Sequence, residues 1–302
     1  MNSVPETATI VAPASRMREF YELCKPRVVM LIVFTAVIGM LLAVPGMPPL
    51  DKFVFGTLGI GLQALSAGAM NQLVDRSIDA RMARTCGRPL ATGSLGVAES
   101  MLFAALLGVS GWVILYWLVN PLTAWLTLGA LTGYAGIYTL LLKRATPQNI
   151  VIGGAAGAFP PVLGWVAVTG HMAPQSLLLF LIIFVWTPPH FWALAIERRD
   201  EYAKVGVPML PVTHGIDYTS TQVLLYTILL VTVTALPFVV GMSGPVYLTG
   251  ALLLGGIFLV YAVRLKWWPK PGLPMKTFGY SISYLMGIFS LLLVDHYLPL
   301  LS

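Results

Sequence analysis

The sequence predicts an all-α, polytopic membrane protein with nine transmembrane helices, and three observations carry that reading. Apolar residues make up 57% of the 302 residues and charged residues only 10%, against the roughly 25% charged expected of a soluble domain. The apolar residues gather in nine runs, most of them near the 20 or so residues that a bilayer core requires. The basic residues alternate from loop to loop, dense on one face and scarce on the other.

The runs fall at 28–45, 53–70, 99–119, 121–142, 150–169, 175–196, 222–242, 245–263 and 279–298. Residues 1–27 carry Glu6, Glu19 and Glu22 and no apolar core. They read as a cytoplasmic tail, neither a signal peptide nor a transit peptide. Residues 28–302 read as a single transmembrane domain, since the short loops leave no room for a large soluble one. Arg16, Arg18, Lys25 and Arg27 precede the first run, and only Lys52 follows it. Arg76, Arg81, Arg84 and Arg88 follow the second run, and the turn at Asn120 has no basic residue. Lys143 and Arg144 follow the fourth, Arg198, Arg199 and Lys204 the sixth, and Arg264, Lys266, Lys270 and Lys276 precede the ninth. Of the 18 Lys and Arg, every one except Lys52 therefore lies on one face.

The positive-inside rule makes that face cytoplasmic, with the N-terminus inside and the C-terminus outside, in a bacterial inner membrane. The net charge of +6, spread over these loops, suits anionic lipid headgroups. Membrane lipids are thus expected contacts, and no nucleic-acid partner is expected. Cys24 and Cys86 are too few and too isolated for a disulfide framework.

Three cytoplasmic loops carry polar residues that anchoring alone does not require. If the second helix continues past the membrane edge, Asn71, Asp75 and Asp79 form an i, i+4, i+8 stripe, about 6 Å apart along the axis. Like charges at that spacing repel. Oxygen ligands so placed suit Mg2+, which takes one or two carboxylates together with phosphate oxygens and water. The plain alternative is a solvated helix end with Asp79 paired to Arg76. Arg84 and Arg88 follow in ARTCGRPLATG, where a diphosphate and its metal would need cations. Lys143 and Arg144 end the fourth run, and Gln148 and Asn149 open the fifth. Interfacial snorkelling is the ordinary fate of such a basic pair.

The third loop begins inside the membrane with WTPPHFWALAIERRDEY. Pro188 and Pro189 remove helix hydrogen bonds, which predicts irregular backbone beside a polar pocket. His190 is an intramembrane histidine, a functional candidate by default. Asp200 and Glu201 form a poorer carboxylate pair, with Glu201 expected to pair with a neighbouring arginine. Together these residues predict helices around a central cavity that opens to the cytoplasm. A prenyl diphosphate fits such a site, head at the edge and tail among the helices. Metal and basic residues would stabilise the leaving diphosphate while aromatic walls tolerate an allylic cation.

NQLVDRSIDARMART followed by RPL resembles the first signature of the intramembrane aromatic prenyltransferase superfamily. LLKRATPQNIVIGGAAGAFPPVLGW and WTPPHFWALAIERRDEYAKVGVPMLPV are similar to one branch of it, the protoheme IX farnesyltransferases or heme O synthases. That resemblance, from Lys25 to the last span, implies transfer of farnesyl from farnesyl diphosphate to a vinyl group of heme B. Water addition then gives heme O and diphosphate, a step in terminal oxidase biogenesis that makes heme A synthase a partner.

The resemblance assigns Mg2+ to Asn71, Asp75 and Asp79, and catalytic roles to Asp75, Asp79, Lys143, Arg144 and His190. Asn71, Arg84, Arg88, Asn149 and Asp200 become substrate-binding residues. Quinone-precursor prenyltransferases have an aspartate-rich second motif where this chain offers His190 and Asp200, so a second full metal site is not implied. Two other readings share parts of the pattern: prenylation of a quinone-ring precursor, and a membrane transporter. The polar residues at the edge, with few at the midplane, argue against the transporter.

Overall fold

A chain crossing a bilayer must satisfy its backbone N–H and C=O groups internally, which leaves helices as the solution for long apolar runs. The computed structural model describes residues 15–142 and 145–298 and is all-helical, with no strand among them. In chain order the elements are α1 Arg16–Leu23, α2 Pro26–Leu42, α3 Leu50–Asp79, α4 Pro89–Thr92, α5 Val97–Ile114 and α6 Pro121–Thr132. There follow α7 Asn149–Ala158, α8 Pro160–Thr169, α9 Pro174–Glu197, α10 Arg199–Lys204 and α11 Leu210–Thr213. Last come α12 Gly215–Val239, α13 Pro245–Trp267 and α14 Leu273–Tyr297. Two π-helical segments, Leu115–Val119 and Gly133–Leu142, continue α5 and α6.

Proline opens α2, α6, α8, α9 and α13, where its missing N–H costs nothing. Leu102, Leu106, Val109 and Val113 on α5, like Leu253, Ile257 and Val260 on α13, are exposed at helical spacing. Such apolar stripes are what a helix presents to lipid. Trp186, Phe258, Tyr284 and Phe289 fill the core between α9, α13 and α14. The tyrosine hydroxyls buried there are satisfied: Tyr247 donates to the Thr234 carbonyl at 2.7 Å and Tyr284 to the Thr234 hydroxyl at 3.2 Å.

Seven helices among the described residues are long and apolar enough to cross a membrane. An eighth is reached if α1 and α2, bent by 52° at their junction, count as one span. The chain is therefore a multi-pass membrane protein, and the expected count of nine is not reached on this measure. The segment 121–142 is helical as α6 and its π-helix but stands outside it. Part of the expected tail is also ordered, because α1 buries Leu23 against α3.

The expected irregularity at Pro188 and Pro189 is absent. α9 runs unbroken from Pro174 to Glu197, with both prolines buried. Irregular helical backbone is found instead in the π-helices Leu115–Val119 and Gly133–Leu142.

α2 and α8 cross closely. A Cβ at Gly164 would lie 1.9 Å from the Ala36 carbonyl oxygen, and one at Gly39 2.2 Å from that of Pro161. Gly164→Ala is expected to destabilise the protein by about 1–3 kcal/mol through overpacking. The check is its unfolding midpoint in detergent, which should fall, whereas Gly256→Ala, whose Cβ would meet nothing within 4 Å, should not lower it.

Candidate active site

α3 has 30 residues, more than the roughly 20 a bilayer core needs, so its last turns run to the membrane edge. Asn71, Asp75 and Asp79 lie on successive turns there and are only 4%, 3% and 5% exposed. Buried charges persist only when paired and hydrogen-bonded. The loop after α3 supplies one partner: Arg88 Nη1 donates to Asp79 Oδ2 at 2.6 Å. The loop is folded back by Thr85, whose hydroxyl donates to the Asp79 carbonyl at 3.0 Å, and by the Arg88 N–H donating to the Thr85 carbonyl at 3.0 Å. The Arg76 pairing does not form; Arg76 Nη1 donates to the Leu73 carbonyl instead.

A further cation reaches the stripe from the α1–α2 junction, where Lys25 Nζ donates to the amide oxygen Asn71 Oδ1. Lys25 has φ 52°, in the left-handed region that side chains rarely adopt. Two features of α3 hold the junction in place. Gln72 Nε2 donates to the Glu22 and Leu23 carbonyls at 3.0 and 3.1 Å. At Gly68 a Cβ would lie 2.6 Å from the Cys24 carbonyl oxygen, so only glycine lets the backbones approach.

Tyrosines complete the surroundings. Tyr134 and Tyr138, stacked at 5.6 Å on the π-helix Gly133–Leu142, lie within electrostatic reach of Asp75. Burial raises the pKa of the Tyr202 hydroxyl, and the nearby Arg84, Arg198 and Arg88 oppose that rise. Beneath them Ile78 and Met82 pack with Ile150 of α7, with Trp192 and Ile196 of α9, and with Val207. This apolar floor brings the ends of α3, α7 and α9 together.

Arg84 is exposed at the rim. Asn149 is fully buried at the start of α7, where its Nδ2 donates to the Thr146 carbonyl at 2.7 Å. Asp200 is exposed on α10, while Glu201 pairs with Arg198 at 2.6 Å, as expected of it. Lys143 and Arg144 lie outside the described residues.

His190 lies on α9, buried against α14. It stacks between Trp186 and Phe278, with ring centroids at 4.2 and 4.4 Å. Its Nδ1 is 2.6 Å from Ser281 Oγ, and that hydroxyl donates its hydrogen to the Phe278 carbonyl at 2.6 Å. Ser281 can therefore only accept from the ring, so Nδ1 carries the hydrogen and Nε2 the lone pair.

Among the described residues no group of three or more His, Cys, Asp or Glu could hold a metal ion. Two carboxylates and an amide on one helix face fit a different mode, Mg2+ completed by phosphate oxygens and water. Sequence reasoning missed Lys25, Tyr134, Tyr138 and Tyr202. The signals available were a lysine before the helix-opening Pro26 and a tyrosine pair at i, i+4.

The model of the UbiA prenyltransferase family matches residues 32–291. The chain belongs to that family. It is 59% identical over 294 residues, 97% of its length and 98% of the relative's, to the protoheme IX farnesyltransferase of Nitrosococcus oceani. Among solved structures it resembles a digeranylgeranylglyceryl phosphate synthase, at TM-score 0.78 and 18% identity over 94% of this chain and 99% of that one. A UbiA homologue from Archaeoglobus fulgidus, bound to DMAPP and Mg2+, matches at TM-score 0.65 and 18% identity over 91% of this chain and 99% of its own. The family makes the chain a membrane-embedded prenyltransferase.

Removing Arg88 leaves the Asp79 carboxylate buried and unpaired. Arg88→Met is expected to cost about 3 kcal/mol of stability. The double variant Asp79→Asn/Arg88→Met should lose less, which thermal unfolding of the two proteins in detergent will read directly.

Proposed function

We propose that this chain transfers a farnesyl group from farnesyl diphosphate to a vinyl group of heme B, with addition of water, giving heme O and diphosphate. The near-full-length likeness to a protoheme IX farnesyltransferase carries this reading. The buried stripe Asn71, Asp75 and Asp79 with its arginine partner supports it, because that donor set suits a metal-bound diphosphate head.

Asn71, Asp75 and Asp79 would hold Mg2+, which supplies positive charge against the departing diphosphate. Arg88 uses one of its five N–H donors on Asp79 and turns others to phosphate oxygens. Arg84, Lys143 and Arg144 add charge around the same anion. The allylic C–O bond breaks with its electron pair leaving on diphosphate. The terminal vinyl carbon gives its π pair to farnesyl C1, and water captures the cation left beside the porphyrin and loses a proton. Tyr134 and Tyr138, near Asp75, offer π faces to the allylic cation.

His190 contacts the heme at its iron or at a propionate, with its Nδ1–H held by Ser281. Asn149 and Asp200 border the substrates. The site faces the cytoplasm of the bacterial inner membrane, with the N-terminus inside; the loop distribution of Lys and Arg supports this orientation. A heme A synthase takes the product.

Purified protein incubated with heme B, farnesyl diphosphate and Mg2+ is expected to yield heme that is heavier by one farnesyl group plus water. Asp75→Ala and Asp79→Ala should give none while remaining folded in the membrane. His190→Ala should lower heme modification more than farnesyl diphosphate binding. An unmodified heme with the wild-type enzyme would refute the reading, and near-normal turnover in both aspartate variants would refute the diphosphate assignment.

A further inference from the structure

The chain around the end of α9 carries the acids Glu197, Asp200 and Glu201, and none of them extends the carboxylate stripe of α3. Glu197 and Asp200 are exposed, and Glu201 is committed to Arg198 at 2.6 Å. A second Mg2+ beside a diphosphate would need carboxylates of its own, since this ion takes one or two of them together with phosphate oxygens and water. Among the described residues no group of three His, Cys, Asp or Glu supplies them. The outer phosphate of a prenyl diphosphate carries more of the negative charge than the inner one. Held by one metal alone, it needs charged and hydrogen-bonding donors on its other side.

Two side chains one helical turn apart offer such donors. The Tyr202 N–H donates to the Arg198 carbonyl at 3.1 Å, which places the two residues on one face of the turn. The chain then folds back at Gly206, φ 68°, where the Val207 N–H donates to the Tyr202 carbonyl at 3.1 Å and Val207 is buried. That turn pins α10 over the apolar floor of Ile78, Met82, Trp192 and Ile196, on which the Tyr202 ring packs. Ile78 and Met82 flank Asp79 in the chain, so the ring shares its floor with the end of the stripe.

The Tyr202 hydroxyl lies within electrostatic reach of Arg84, Arg88 and Arg198. It is also within reach of Tyr138, which in turn senses Asp75. Burial raises its pKa above the ordinary tyrosine value, so at neutral pH the oxygen keeps its hydrogen and can donate it. Arg198 spends one N–H on Glu201, and its Nε has no hydrogen-bond partner among the described residues.

The tail of a prenyl diphosphate must run among the apolar helices, which turns its terminal phosphate towards the cytoplasmic loops. We infer that Tyr202 and Arg198 bind this terminal phosphate, so that the chain holds its diphosphate with the single metal of the α3 stripe and with donors where a second metal would otherwise sit. This inference rests on the reading of Asn71, Asp75 and Asp79 as a metal–diphosphate site. Glu201 is then a positioning residue, which steadies the Arg198 guanidinium and ligates no metal.

The test is binding of farnesyl S-thiolodiphosphate, an analogue that resists ionisation, to the full-length protein in lipid nanodiscs with Mn2+ in place of Mg2+. Calorimetry reads the affinity, and electron paramagnetic resonance counts the bound Mn2+. Wild type is expected to bind one Mn2+ per chain with the analogue. Tyr202→Phe, which keeps the ring on its floor, should bind the analogue about tenfold more weakly and still take one Mn2+. Its affinity for farnesyl monophosphate should stay that of wild type. Arg198→Gln/Glu201→Gln, which removes both charges of the pair together, should act likewise. Full affinity for the analogue in Tyr202→Phe would overturn the inference, and so would an equal loss for both ligands, the mark of a packing role. Two Mn2+ per wild-type chain would overturn it too, while leaving the α3 stripe as a diphosphate site. Binding of Mn2+ and analogue unaffected by Asp75→Asn/Asp79→Asn would overturn both readings.

Discussion

Two carboxylates one helical turn apart repel each other, and at about 6 Å with an effective dielectric near 20 the repulsion is about 3 kcal/mol. Asp75 and Asp79 carry that penalty with 3% and 5% of their surface exposed, at the end of a helix that must also cross a membrane. Much of the local architecture answers this one constraint. The loop after α3 folds back through Thr85 so that Arg88 reaches Asp79. The α1–α2 junction is drawn onto Gly68 and Gln72, with Lys25 in a left-handed conformation against Asn71. The same cations that make the buried stripe tolerable are the groups a diphosphate needs, so the folding problem and the binding problem share one solution.

The rest of the bundle keeps that edge in position by close backbone contact and by shared caps. Gly39 and Gly164 let α2 and α8 meet at backbone distance, and small residues serve this purpose in membranes, where lipid gives no hydrophobic drive for association. At the far end Asp295 of α14 accepts from the Gly244 and Tyr247 N–H groups and so caps α13. Asn120 caps α6 through Thr123 at 2.8 Å and donates to the Val166 carbonyl of α8 at 3.0 Å. Both polar residues look misplaced in an apolar context until their backbone partners are seen.

The fold class was legible because hydropathy and loop charge are one-dimensional signals. Helix positions follow from where apolar runs begin and end, and the apolar runs at 150–169 and 175–196 coincide closely with α7–α8 and α9. The stripe Asn71, Asp75 and Asp79 was legible for a similar reason, since all three share one face of one helix. Lys25 was not, because its role depends on a junction brought to Asn71 from 46 residues away. Tyr134 and Tyr138 depend on a π-helical segment that sequence spacing does not announce. Pro188 and Pro189 misled in the opposite direction: α9 absorbs two missing N–H groups without a break, and the chain's irregularity lies elsewhere.

The central claim is that the buried carboxylates of α3 exist to bind a metal–diphosphate head. Calorimetric binding of farnesyl diphosphate to wild type and to Asp75→Asn/Asp79→Asn, each with Mg2+ and with a chelator, tests it most directly. Tight binding only in wild type with Mg2+ is the predicted result. Equal affinity in all four cases would contradict the account.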